Sequence, residues 1–151
     1  MTTSELTRIE RKIFIRGSRA YIWRALTSTE GFSKWFSVEM EGPFAEGKRV
    51  DMISMDHSCS GMPFYVIVER LEPEHTFTWR WHPGSASTSE DGTTLVEFHL
   101  GEADGGTVVT VTETGFDAIS LERRAKAFAE NEHGWDTQLE SLRLYADEQA
   151  S

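Results

Sequence analysis

Two carboxylates stand on faces that are otherwise apolar. Glu113 closes the alternation Thr107, Val109, Val111, Glu113, and Glu132 sits within Leu121, Ala125, Phe128, Glu132, Trp135, Leu139, Leu142 and Ala146. Those eight step by four and three, which places them on one stripe of a helix. A buried carboxylate must lose its charge or find hydrogen-bond donors, so inside a cavity it either orients a ligand or moves a proton. At a cavity rim the same two groups would be ordinary solvated charges.

A set of large aromatics accompanies them: Trp35, Phe64, Trp79, Trp81, Phe98, Phe116, Phe128 and Trp135. Taken singly, each reads as core. Taken together they suit the walls of a pocket, because rigid rings line a cavity for an apolar or aromatic ligand without collapsing into it. Gly134, beside Trp135, costs about 1 kcal/mol in a helix interior and is expected to let the helix approach its partner closely.

The remaining reactive types are sparse. Asp56-His57-Ser58-Cys59 gathers metal-ligand residues, but no second cluster has zinc-like spacing, and His82 and His99 alternate onto the outer face of their strands. Neither a metal nor a cofactor is expected. His57 reads as a polar group at a cavity mouth, and Cys59 as a small hydrophobe, since no His–Asp pair supports a nucleophile. Gly101, Gly105 and Gly106 belong to a hairpin rather than to a phosphate loop, with no helix N-terminus following.

These residues need elements to hold them. The spacing predicts an opening strand over 6–15, then a short helix capped by Ser18 with Ile22, Trp23 and Leu26 on one face. Thr27-Ser28-Thr29-Glu30 has the spacing of a capping box for a second short helix ending near Phe36. Strands are predicted at 49–55, 63–71, 76–82, 94–100 and 107–114, and a last helix over 121–146. Phe77, Trp79 and Trp81 alternate with Thr76, Thr78, Arg80 and His82, so the three aromatics point one way. Matching apolar to apolar predicts the rows Phe77–Phe98–Val109, Trp79–Val96–Val111 and Trp81–Thr94–Glu113, with Arg80 diagonal to Glu97 on the other side. Strands followed by a long helix make an α+β pattern, the helix lying on the apolar face of an antiparallel sheet.

Composition limits the function classes. The 151 residues, 38% hydrophobic and with a single cysteine, fit one domain spanning 1–151 with an ordinary core. One cysteine without a secretory leader points to a reducing, cytoplasmic location. No run approaches the ~18 apolar residues of a membrane span. A net charge of -10 repels phosphate backbones, so nucleic acid is not an expected partner.

Four segments in order carry a resemblance: YIWRALTSTEGFSKWF (21–36), RLEPEHTFTWRW (70–81), GGTVVTVTETGF (105–116) and ENEHGWDTQLESL (130–142). With them the chain resembles the START-like SRPBCC superfamily, the helix-grip fold. Within it, the chain is similar to the branch named after the activator of heat-shock protein 90 ATPase, C-terminal domain type. The resemblance implies a curved antiparallel sheet gripping the long C-terminal helix, with an internal hydrophobic cavity between them. It implies no single reaction, because the superfamily includes lipid carriers, hormone receptors and polyketide cyclases. The expected function is binding of a small hydrophobic or aromatic ligand in that cavity, by Trp35, Phe64, Trp79, Trp81, Phe98, Glu113, Phe128, Glu132 and Trp135. Two alternatives accompany it: a cyclase- or hydrolase-type enzyme using Glu113 or Glu132 with His57 on a polyketide-like substrate, and a stress-response interaction protein with a chaperone as partner.

Overall fold

The computed structural model describes residues 8–55, 61–83 and 92–150. Seven strands form one antiparallel sheet: β1 (Arg8–Arg16), β2 (Val38–Met40), β3 (Arg49–Ser54), β4 (Pro63–Glu72), β5 (Thr76–Trp81), β6 (Thr94–Ala103) and β7 (Gly106–Thr114). Their spatial order is β1-β7-β6-β5-β4-β3-β2, so the chain's first strand closes beside its last and β2, absent from the expected elements, makes the far edge. The sheet curves around α3 (Leu121–Ala150), a helix of 30 residues, with α1 (Arg19–Thr27) and α2 (Thr29–Trp35) between β1 and β2. This is the helix-grip architecture expected from the sequence. No helix among the described residues is long and apolar enough to cross a membrane. The segment Asp56 to Cys59, with His57, lies outside the described residues, as does most of the loop before β6.

The short helices begin where side-chain oxygens meet orphan backbone donors. Ser18 Oγ accepts from the Tyr21 N–H, and Ser28 Oγ accepts from the Gly31 N–H. The cap of α2 is therefore Ser28 and not a Thr27–Glu30 box; the Thr27 hydroxyl donates back to the Trp23 carbonyl at 2.8 Å. Gly31 is required by space, since a Cβ there would lie 2.4 Å from the Ala25 carbonyl oxygen.

Register differs from expectation at one place. β5 and β6 pair as expected, Phe77 with Phe98, Trp79 with Val96 and Trp81 with Thr94. Between β6 and β7 the pairing is Phe98 with Val111 and Val96 with Glu113, two residues away from the rows read from apolar matching. The cause is the turn. Ala103 pairs with Gly106 across only Asp104 and Gly105, and Gly105 at φ +81° accepts the backbone conformation that such a tight connection needs. A shift of two keeps every side chain on its face, so Glu113 still points inward. Outside, Arg80 lies diagonal to Glu97 as expected, and its guanidinium pairs with Glu69 of β4 at 2.7 Å.

The inner face of α3 also departs from the eight-residue stripe. Phe128, Trp135, Leu139, Leu142 and Ala146 are buried, whereas Leu121 is 76% exposed and Ala125 is exposed. A strict four-three stepping repeats every 3.5 residues, while a straight helix turns every 3.6, so the stripe drifts about 20° per heptad. Anchored at Trp135–Ala146, its N-terminal members rotate off the sheet. Their places are taken by Ala127, buried, and by Asn131, half-buried.

Candidate functional site

The middle of the grip is solid. Trp79 is fully buried, with the rings of Phe32, Phe36, Phe77, Trp81, Phe98 and Trp135 at centroid distances of 5.3–6.3 Å. Its indole N–H has no hydrogen-bond partner among the described residues. Trp35 closes the other end: its Nε1 donates to the Leu26 carbonyl and its own carbonyl accepts from Ser141 Oγ, which ties α2 to α3. Phe116 and Phe128 pack edge to face at 5.1 Å near the start of α3.

Toward the C-terminal end of β5 the packing opens. A pocket of about 170 Å³ lies between β5 and α3, lined by Phe36, Trp81, Asn131, Gly134, Trp135 and Gln138. Gly134 is not there for close approach to the sheet. A Cβ at this position would meet nothing within 4 Å, so the missing side chain leaves pocket space open.

Glu113 organises this end. It is fully buried, and four neutral side chains converge on its carboxylate. Trp81 Nε1 donates to Oε2 at 2.8 Å, Thr94 Oγ1 to Oε2 at 2.5 Å, Trp135 Nε1 to Oε1 at 2.8 Å, and Asn131 Nδ2 to both oxygens at 2.9 and 3.1 Å. Three of the four donors, Trp81, Asn131 and Trp135, are pocket walls. Hydrogen bonds to an ionised acceptor are stronger than neutral ones, and here they fix both indole planes and the amide. Glu113 itself does not line the pocket; it holds the residues that do.

Glu132 is placed elsewhere. Instead of lying between Phe128 and Trp135 on the inner face, it pairs with Arg11 of β1 at 3.1 Å, its side chain 44% exposed, and Asp136 joins from the next turn at 2.8 Å. Partial burial works against the Arg11 charge, but the hydrogen bonds it donates to these two carboxylates more than offset that and hold the guanidinium above its ordinary value. The two carboxylates singled out in the sequence thus share no cavity, and the geometry supplies no acid–base pair from them. Among the described residues no group of three or more His, Cys, Asp or Glu is arranged to hold a metal ion.

Phe64 faces a different opening. It joins the wall of a depression of about 770 Å³ along the β2–β4 edge, and touches the pocket only through ring contacts with Phe36 and Trp81 at 6.5 and 6.2 Å. The larger depression is an open sheet edge whose cation is already engaged, with Arg49 bonded to Asp51 and stacked 3.8 Å over Tyr65. In the smaller pocket the polar groups keep spare capacity: among the described residues neither Asn131 Oδ1 nor the Gln138 amide has a partner. Sequence reasoning missed Phe36, Asn131 and Gln138. The spacing 131, 134/135, 138 was available as a signal, since it steps by three and four along the helix face that carries Trp135.

Comparison with known proteins agrees with this architecture. The Mesorhizobium loti protein MLL2253 superposes with a TM-score of 0.76 at 21% identity, over 93% of this chain and 97% of that one. The Aha1 dimer of Colwellia psychrerythraea gives 0.70 at 22%, over 90% and 92%. DynU16, described as a putative protein in the dynemicin biosynthetic locus, gives 0.74 at 20%, over 93% of this chain and 47% of that one. At such identities the likeness is one of fold. No curated protein matches the sequence. A family model matches residues 16–147, and by that match the chain belongs to the Activator of Hsp90 ATPase homolog 1-like protein family.

Proposed function

We propose that the chain is a cytoplasmic binding module that takes a small hydrophobic molecule, about one aromatic ring in its buried part, into the pocket between β5 and α3. One observation carries this reading: the pocket walls are pinned from behind by Glu113, while the helix gives up a side chain at Gly134 where one would fit. Glycine in a helix interior costs about 1 kcal/mol relative to alanine, and packing does not require it here. The size suits a single ring, since an apolar cavity of roughly 150 Å³ is enough to hold benzene. Asn131 Oδ1 and the Gln138 amide supply the polar contacts that orient such a ligand at the mouth.

The test is titration with tert-butylbenzene followed by tryptophan emission. Saturable quenching is expected in the parent and in Gly134→Ala, and its loss in Gly134→Phe, whose ring fills the space. Undiminished quenching in Gly134→Phe would place the binding somewhere else.

A further inference from the structure

Three rings meet around the pocket at nearly equal spacing. The Phe36–Trp81, Phe36–Trp135 and Trp81–Trp135 centroids are 6.2, 6.3 and 5.9 Å apart, and all three line the same space. A cation within about 6 Å of a ring centroid is attracted by the negative face of the π system, and rings grouped in this way bring one cation within range of all three. Behind two of them lies a negative charge. Glu113 is buried and, among the described residues, bonded only to neutral donors, so its hydrogen bonds stabilise the charge without cancelling it. Because Trp81 and Trp135 donate their indole N–H groups to that carboxylate, electron density is pushed toward their rings, which strengthens their faces as cation acceptors. Among the polar groups at the mouth, Asn131 Oδ1 is an acceptor.

We propose that this pocket selects organic cations, with an alkylated ammonium group seated against Phe36, Trp81 and Trp135 and the charge of Glu113 behind the two indoles. The proposal rests on the binding reading above and narrows it to hydrophobic ligands carrying a quaternary or tertiary ammonium. Glu113, fully buried behind the two indoles, acts on a bound cation at short range and is screened by salt far less than the net charge of the surface.

The experiment compares phenyltrimethylammonium with tert-butylbenzene, its neutral isostere, by tryptophan quenching at about 0.5 M salt, where surface attraction is largely screened. The cation should bind at least tenfold tighter than the isostere in the parent. Glu113→Gln should erase that ratio, and Phe36→Leu, which keeps the carboxylate and its donors, should reduce it severalfold while tert-butylbenzene binds nearly as before. If Glu113→Gln does not fold, the Phe36→Leu ratio decides alone. Equal binding of the two probes to the parent, or a ratio unchanged in Phe36→Leu, overturns the cation proposal and leaves the pocket reading standing. Failure of both probes to bind overturns the pocket reading and the proposal with it.

Discussion

The two ends of the grip are built from the same residue types and differ in one buried group. At the closed end Phe32, Trp35, Phe77, Trp79 and Phe98 pack ring against ring, and among the described residues the Trp35 indole N–H meets only the Leu26 carbonyl. At the open end Trp81 and Trp135 are held by their N–H edges to Glu113, and space remains beside Gly134. Aromatic content alone therefore makes a core. A saturated carboxylate placed among the rings turns part of that core into a wall.

The sharpest way to break the comparison is to remove each end's central residue. Trp79→Ala should cost about 3–5 kcal/mol, as expected for a large ring deleted from a filled core. Glu113→Ala should cost a similar amount, on the order of 3–4 kcal/mol, because four buried donors lose their acceptor together. Urea unfolding measures both. The distinction lies in the pocket: a fragment bound at the open end should survive Trp79→Phe and be lost in Glu113→Ala. A Glu113→Ala protein as stable as the parent would mean the carboxylate does not hold that end.

Smaller effects sharpen the picture. Gly134→Ala should raise stability by about 1 kcal/mol, read as a higher urea midpoint with an unchanged slope, since the methyl group meets nothing. A loss of stability there would show the helix does need close approach. Glu132→Gln should change stability by less than ~1 kcal/mol, the range of an exposed ion pair, and leave ligand binding unaffected. Any large effect on binding would return Glu132 to the pocket.

At high pH the closed end should show delayed tyrosine ionisation. Burial, then the charge of Asp147, raises Tyr21 above its ordinary value of 10.0, and its hydroxyl donates to the Ala146 carbonyl at 2.5 Å. Tyr145 is raised by burial and by Glu30 and Tyr21. The unfolded chain then releases these protons more readily than the folded one. Their contribution to stability is complete below pH 10.0 and is lost as pH rises through the folded values. Tyrosinate absorbance against pH should show two ionisations delayed beyond pH 10.0, with Tyr21→Phe removing one of them.

Much of this was legible in the sequence, for identifiable reasons. The alternation Phe77, Trp79, Trp81 fixes its own parity, and Glu113 inherits its inward direction from the same rule whatever the offset. The offset itself depends on a two-residue turn at Asp104-Gly105, which apolar matching does not see. On α3 Asn131 and Glu132 lie within one turn of Trp135 and flank its direction at about 40° and 60° on opposite sides, so helical spacing alone does not choose between them, and they exchanged places between expectation and structure. That one-residue difference separates a surface ion pair from a pocket wall, and local sequence carries little to decide it, because Arg11 is 121 positions away from Glu132 along the chain.

The central claim, that the open end is a preformed site and the closed end is core, is tested most directly by the five tryptophan indole N–H resonances in a proton–nitrogen correlation spectrum. Assigned by single Trp→Phe variants, the Trp81 and Trp135 signals should lie downfield with the shift of donors to a carboxylate and exchange slowly with solvent. On addition of phenyltrimethylammonium those two should move while Trp35 and Trp79 stay fixed. Movement of Trp35 and Trp79 with Trp81 and Trp135 unchanged would contradict the account and place the ligand at the closed end of the grip.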